Sequence, residues 1–483
     1  MDVVLGTSPP SALHVFTRNG RSLLFDAATR SSFELDAASG MARLLPGLDL
    51  AETVIAASTE NGADPMPPFQ DLAELQASGY FQHRLLARPP PTERRAYSVC
   101  VILSRRCNLR CRYCYTRQAR RSASQDMPTA VMEAAARFAA QLEKGSLLDG
   151  GGVDVSCAGE ITCGLDLYDR FAELLDAEGD RLGVRLAPCI WFGVNLTTLC
   201  RPEVAARLAA LGILSCSLDG PPEAHDRMRV YPDGRGTYAD AKRGLKQLRA
   251  LGNPFQASAV LTAAYPNALA VYRHLFELGC DSVTVKPVRA EPRQPYAIGE
   301  DLEAVCRGYD RFAEWLLTLP DPELLTCLRA ILQLPLSHDY FGRFLQRVMT
   351  RSVVQRRCGA WDSELTVNTD GSLYSCPAMA GLPEARIGSL QEGVDEAWMQ
   401  EMGRRLHVSS RRPCNSCWAR YVCGGACPHQ SWLTHGDFFT PDPAECALNR
   451  HLIELAIWLY SQLRDKRLSV LAAIPALAMH GSG

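Results

Sequence analysis

The sequence predicts an α/β fold: a partial (β/α)6 barrel with a small unit ahead of it and a cysteine-rich unit behind. Three observations carry this. Between Tyr97 and Lys286 six strand-like runs alternate with helical patterns, a run of three prolines in "ARPPPTERRA" separates this region from what precedes it, and seven of the 19 cysteines fall from Cys358 to Cys446. Strands separated by helices pair in parallel through right-handed crossovers, and six of them suggest a partial barrel.

The 483 residues, 47% hydrophobic and 22% charged, suffice for several structural units with a large core. Lys plus Arg total 51 against 53 for Asp plus Glu, and the net charge of -2 argues against broad binding to nucleic acid or an anionic membrane. The stretch "MDVVLGTSPPSALHVF" carries Asp2 and no basic segment ahead of an apolar run, while "LSVLAAIPALAM" is too short to span a bilayer and contains Pro475. The expected location is therefore cytoplasmic, with no nucleic-acid or membrane partner. In a reducing compartment cysteines are poor material for a disulfide framework, so clustered ones point to metal binding or catalysis. Cys100, Cys216, Cys280, Cys306 and Cys327 lie apart from the clusters and are expected to be small buried hydrophobes.

In chain order, residues 1–88 open with short alternating strands around Asn19-Gly20, a hairpin signal, followed by "AASGMARLLPGL" and "PPFQDLAELQASGYF" with helical spacing. The prolines of a linker at 89–96 can continue neither a helix nor a central strand. The barrel is assigned to 97–320, with strands "YSVCVIL", "GVDVSC", "PCIWFGVN", "ILSCSLD", "FQASAVL" and "DSVTVKP". Bridging helices at 321–357 lead to the cysteine-rich unit at 358–450, and 451–483 begins with the amphipathic helix "HLIELAIWLYSQLRDKR", expected to pack on the core.

The segment "SRRCNLRCRYCYTR" directly follows the first strand, so Cys107, Cys111 and Cys114 lie at the C-terminal end of the sheet, where α/β folds place reactive groups. A structural zinc site takes four ligands, often as two Cys-x2-Cys pairs, and no partner pair stands near Cys114. The ferredoxin run Cys-x2-Cys-x2-Cys-x3-Cys also differs. Three thiolates can hold three corners of an iron–sulfur cubane and leave its fourth iron open.

With Tyr113 before the last thiol, this Cys-x3-Cys-x2-Cys loop resembles the signature of the radical S-adenosylmethionine (SAM) enzymes. The resemblance implies a 4Fe-4S cluster whose open iron chelates SAM and supplies the electron that releases a 5′-deoxyadenosyl radical. After strand two, "SCAGEIT" stands where the family usually reads Gly-Gly-Glu-Pro, which assigns Gly159 and Glu160 to cofactor binding; Ala158 and Ile161 depart from that pattern. Asn195 in "GVNLTT" stands where the family often has Thr-Asn-Gly. The stretch "SLDGPPEAHDRMRVYPDGRGTY" is similar to the Ser-x-Asp-Gly-x4-His-Asp-x2-Arg of one branch. That match adds Ser217 and Arg229 to the cofactor set, which Tyr113 joins from the cysteine motif, and makes Asp219 the catalytic candidate, with Arg227 or Arg229 able to grip a carboxylate. Read on their own, Asp219 before Gly220 and Asp233-Gly234 are also turn signals, and His225 is a loop hydrogen-bonder.

Behind the barrel, Cys358 and Cys376 flank Gly371, and then come Cys414-x2-Cys417-x5-Cys423-x3-Cys427 and Cys446. This strongly resembles the seven-cysteine SPASM extension. "LTVNTDGSLYSCP" reads as a hairpin turning at Asp370-Gly371. The resemblance implies two auxiliary 4Fe-4S clusters, one held by Cys414, Cys417, Cys423 and Cys446 and the other by Cys358, Cys376 and Cys427 with an iron open to a substrate thiolate. The chain would thus carry three clusters. Two zinc sites in a treble-clef-like tail remain the plain alternative on spacing alone.

SPASM proteins act mostly on peptides, and the hairpin-then-helix order of residues 1–88 is similar to the winged-helix recognition element (RRE, PqqD-like) that takes a leader peptide as an added strand. These resemblances imply a peptide maturase acting on a ribosomally made precursor peptide or small protein subunit, with flavodoxin or ferredoxin as electron donor. The favoured product is a Cys-to-carbon thioether, as in the quinohemoprotein amine dehydrogenase maturation proteins. The alternatives are a carbon–carbon or carbon–oxygen crosslink, epimerisation, and formylglycine formation as in the anaerobic sulfatase-maturing enzymes. A non-catalytic peptide-binding scaffold is the alternative from another class.

Overall fold

The computed structural model describes residues 13–27, 29–36, 39, 41–45, 70–78, 97–118, 126–144, 152–155, 158–190, 193–212, 214–334 and 337–474. The linker at 89–96, Cys157 and Pro475 lie outside the described residues. Strands β1 (Leu13–Arg18), β2 (Arg21–Asp26), β3 (Ser31–Leu35) and β4 (Ala42–Leu45) form an antiparallel sheet in that order. Asn19 and Gly20 join β1 to β2 with positive φ at both residues (48° and 79°), the two-residue turn whose twist matches that of the strands. The stretch "AASGMARLLPGL", expected to be helical, instead supplies β4, with Phe33 opposite Leu44 and Leu35 opposite Ala42. So short an apolar run fits both periods, and pairing with β3 decides between them. The helix Leu72–Ala77 follows as expected.

This sheet is seated on the C-terminal part of the chain. His14 Nε2 lies 2.8 Å from Glu454, Arg18 donates to Asp310 at 2.6 Å, and the His14 ring stacks on Trp418 with centroids 3.8 Å apart.

Six strands build the barrel in chain order: β5 (Ser98–Val101), β6 (Gly152–Asp154), β7 (Ala187–Cys189), β8 (Leu214–Ser217), β9 (Phe255–Leu261) and β10 (Ser282–Pro287). β5, β6 and β7 pair in parallel, as do β8, β9 and β10, and a single parallel bridge from Val194 to Cys216 links the two sets. Alternation fixes the two faces. Ala257, Ala259, Val283 and Val285 point outward and are buried, while Gln256, Ser258, Val260 and Lys286 on the other face are partly or fully exposed. The outward face is covered by helices such as Leu165–Leu182 and Ala268–Glu277, whose Phe171, Leu175, Val271 and Leu275 are buried.

The rear hairpin of β11 (Glu364–Val367) and β12 (Ser372–Tyr374) turns at Gly371, φ 83°, and continues into β13 (Arg386–Ser389) and β14 (Gly393–Val394). β11 also pairs in parallel with β5, with Leu365 opposite Val99, so the four rear strands join β5, β6 and β7 in one seven-stranded sheet. The last long helix, Pro443–Lys466, is buried along Leu452–Leu463 and packs on the helices Leu302–Thr318 and Gly342–Met349.

Among the scattered cysteines Cys216 and Cys327 are buried, Cys280 and Cys306 are half-buried, and Cys100 is buried but disulfide-bonded rather than a free thiol. Sulfur proximity in the fold overrides the argument from compartment there. No helix of the described residues is long and apolar enough to cross a membrane.

Candidate radical SAM site

The front loop leaves β5 and is tied down on both sides. Arg110 and Arg112 donate backbone N–H bonds to the carbonyls of Val230 and Met228 at 2.7 and 2.9 Å, and Glu160 N–H donates to the Arg106 carbonyl at 2.7 Å. Gly159, φ +70°, stands against the same carbonyl: a Cβ there would lie 2.5 Å from Arg106 O and 2.9 Å from Ser104 O. Only glycine fits both the conformation and the approach. Gly159→Ala is therefore expected to push the front loop from β6 and weaken SAM binding at least tenfold by equilibrium dialysis; unchanged affinity would refute the tie.

Glu160 is buried at the centre of a polar network. One oxygen accepts from Asn195 N–H at 2.7 Å, and the other accepts from the Thr162 hydroxyl at 2.8 Å. Asn195 donates its amide to Asn108 Oδ1 at 2.8 Å, and Asn108 donates to the Thr197 hydroxyl at 2.8 Å. Burial pushes the Glu160 carboxyl above its ordinary pKa, against the pull of these donors. Glu160 and Asn195 thus meet beneath the front loop, together with Asn108, Thr162 and Thr197. Asn108 lies inside the cysteine motif, Thr162 in "SCAGEIT" and Thr197 in "GVNLTT", so each stands in a stretch the sequence singles out, though none is assigned a role there.

Asp219, Tyr113 and Arg229 form a second constellation on the other side of the loop. Asp219 Oδ2 accepts from the Tyr113 hydroxyl at 2.6 Å and from Arg229 Nε at 3.0 Å, and Oδ1 accepts from Val260 N–H at 3.0 Å. Both carboxylate oxygens are thus engaged, and Asp219 is 2% exposed, so it is placed to hold Tyr113 and Arg229 rather than to shuttle a proton. Arg227 points the other way and donates to the Ala264 carbonyl. Ser217 is buried against Gly193, where a Cβ would lie 2.6 Å from its hydroxyl oxygen. His225, expected in a loop, sits in the helix Pro222–Met228, where Nδ1 accepts from Asp219 N–H at 3.3 Å and Nε2 lies 3.0 Å from Thr237 Oγ1. Asp233-Gly234 forms the turn read from the sequence, with Gly234 at φ +86°.

The ten clustered thiols fall into three electrostatically coupled groups. Burial, and after it Glu160, Cys111 and Cys114, push Cys107 up to about 12, and burial with Cys114 among the charges around it pushes Cys111 up to about 11. Cys414 is raised by burial and by Cys423 and Cys417, and Cys446 by burial and by Cys423 and Cys414. Cys376 is raised by burial, Cys358 and Cys427, and Cys358 by burial, Glu364 and Cys427. Thiols that cost this much to ionise alone are stabilised as thiolates by a cationic metal centre. Among the described residues no three His, Cys, Asp or Glu side chains converge at single-ion distances. A lone Zn²⁺ draws its thiolates to about 2.3 Å, whereas a cubane spaces them farther apart, and the three front-loop thiols, which raise one another by charge, fit a 4Fe-4S cluster.

Residues 101–266 match the family model of the Radical SAM superfamily, so the chain carries a radical SAM domain. Among its curated relatives are the serine-type anaerobic sulfatase-maturating enzymes of Klebsiella aerogenes, 26% identical over 222 residues (45% of this chain, 52% of that protein), and of Bacteroides thetaiotaomicron, 22% identical over 245 residues (47% and 57%). The chain spans about half the length of the curated relatives it matches. In three dimensions it shares the fold of native anSMEcpe with bound AdoMet and Kp18Cys peptide, with a TM-score of 0.60, 17% identity, and coverage of 76% of this chain and 99% of that one.

Proposed function

We propose that the protein is a radical SAM peptide maturase that crosslinks a precursor peptide, with a cysteine-to-carbon thioether as the product. What supports this reading is the Cys-x3-Cys-x2-Cys loop, laced by backbone hydrogen bonds to Glu160, Met228 and Val230 inside the stretch that matches the Radical SAM family. Cys107, Cys111 and Cys114 would hold the cluster that binds SAM; Cys414, Cys417, Cys423 and Cys446 would hold one auxiliary cluster, and Cys358, Cys376 and Cys427 the other. When bound, these groups supply a 5′-deoxyadenosyl radical for hydrogen abstraction and an acceptor for the electron that thioether formation releases.

The chain's own part is to orient and to exclude water. Glu160 and Asn195 tie the segment after β6 that carries Gly159 to the front loop, and Asp219 holds Arg229 and Tyr113 beside Cys111, with the guanidinium 5.6 Å from the tyrosine ring. Ser217 and Ser258 are paired on the inward face of β8 and β9. The recognition element of residues 1–88 would bring the precursor, and flavodoxin or ferredoxin the reducing electron.

Formylglycine formation is the second reading, favoured by the matched relatives' being sulfatase-maturating enzymes. Anaerobic co-expression with the peptide encoded beside the gene separates the two. A thioether removes two hydrogens and one alkylatable thiol, whereas formylglycine creates an aldehyde that reacts with hydrazides. The intact protein is expected to carry roughly twelve irons; about four would remove the auxiliary clusters from the proposal. A reconstituted, reduced protein that leaves SAM uncleaved would mark it as a scaffold.

A further inference from the structure

The residues assigned so far leave a buried network beside the rear thiols without a role. Near the start of the helix Pro443–Lys466, Glu445 and Asn449 stand four positions apart, so their side chains share one face of its first turns. The Tyr340 hydroxyl reaches both, at 3.1 Å from Glu445 Oε1 and 2.7 Å from Asn449 Oδ1, and all three residues are buried. The two helix residues each reach a cysteine as well. Glu445 Oε2 accepts the Cys427 backbone N–H at 3.0 Å, and Asn449 Nδ2 donates to Cys423 Sγ at 3.4 Å.

The direction of these bonds follows from the supply of hydrogens. The Tyr340 hydroxyl has one proton, and Glu445 Oε1 is already paired with Arg289 at 3.0 Å and Arg357 at 3.3 Å. The shorter contact, to Asn449 Oδ1, therefore receives the proton. That fixes the amide, with Oδ1 toward Tyr340 and the hydrogens of Nδ2 left for Cys423. The opposite orientation would set a carbonyl oxygen against the sulfur, and a metal-bound thiolate has no hydrogen to offer it. The Tyr340 ring faces the guanidinium groups of Arg343, Arg357 and Arg289 at 4.3, 4.8 and 5.7 Å from its centroid, contacts that do not involve its hydroxyl. Cys423 belongs with Cys414, Cys417 and Cys446, an all-sulfur donor set that suits an iron–sulfur cluster and zinc alike.

We infer that Asn449, oriented by Tyr340, is a positioning residue that raises the reduction potential of the cluster on Cys414, Cys417, Cys423 and Cys446, making it a better electron acceptor than the thiols alone would. This rests on the proposed function, in which those four thiols hold a cluster and the rear clusters take up the electron that crosslinking releases. A hydrogen bond to a ligand sulfur draws negative charge away from the metal centre, and the reduced state, with one electron more, gains more from it than the oxidised state. Because the amide is buried, water does not compete for the bond. Glu445 anchors the same network to the Cys427 backbone, so the amide is braced from the other rear thiol group.

The test is a redox titration of the anaerobically reconstituted full chain, followed by electron paramagnetic resonance, in the parent protein, Asn449→Leu and Tyr340→Phe. The first substitution keeps the bulk of the side chain and removes the donor; the second keeps the ring and frees the amide to turn. In Asn449→Leu the ratio of reduced to oxidised cluster at a fixed potential is expected to fall at least tenfold for one rear cluster, about 59 mV for one electron. Iron content and the front cluster's spectral response to SAM should stay as in the parent. Tyr340→Phe is expected to shift the same cluster in the same direction by less. Unshifted potentials in both variants at full iron content overturn the inference and leave the maturase reading standing. Loss of iron from both variants assigns the pair to holding the thiols in place and also overturns it. About four irons in the parent, or zinc on the rear thiols, removes the auxiliary clusters from the proposed function and this inference with them.

Discussion

Replacing Cys111 by alanine is expected to abolish SAM cleavage, with 5′-deoxyadenosine falling by at least a thousandfold and iron content dropping by roughly four atoms per chain. The front loop offers only three thiols, so no spare ligand compensates for the loss of one. Arg229 and Asp219 are both among the charges that set the ionisation of Cys111. Iron analysis and product chromatography on the same preparation check this; retained cleavage at reduced iron would show that two thiols suffice.

The second large effect is on stability. Arg229 and Asp219 form a nearly dry ion pair, their side chains 10% and 2% exposed. Removing one member of such a pair strands the other charge in a medium that solvates it poorly, and costs about 3–5 kcal/mol. Arg229→Met is therefore expected to lower the unfolding free energy by about that amount in denaturant titration. Arg229→Met combined with Asp219→Leu should recover part of the loss, because the stranded charge goes with it. An additive double substitution would mean that the two residues are not coupled. Asp219→Asn alone separates structure from chemistry: it preserves shape and the Val260 bond, so a stable variant without product formation would return Asp219 to the catalytic role its motif suggests.

Much of this site was legible in the sequence because its information is local. The spacing of Cys107, Cys111 and Cys114 holds the thiols on one short loop whatever surrounds it, and alternation along "FQASAVL" and "DSVTVKP" fixes which side chains look into the barrel. Asn19-Gly20 and Asp370-Gly371 encode their turns in residues that accept positive φ. The strand β4 was misread because four apolar residues in "MARLL" satisfy a helical and an extended period alike, and a neighbouring strand makes the choice. Cys100 is buried as expected, but it is disulfide-bonded, and a pattern of local residues does not encode disulfide geometry.

By itself, then, the sequence determined the order of the units, the six barrel strands, the loop that carries three thiols and the faces of the strands. All of these follow from residue type and from periods no longer than a helical turn. Tertiary structure alone decided the parallel pairing of β11 with β5, which brings residues near 365 beside residues near 99. It also decided the saturation of both Asp219 oxygens and the convergence of Arg289, Arg343 and Arg357 around Tyr340. These join segments far apart in the chain, and the free energy that selects them comes from burial and charge pairing, which a linear pattern does not contain.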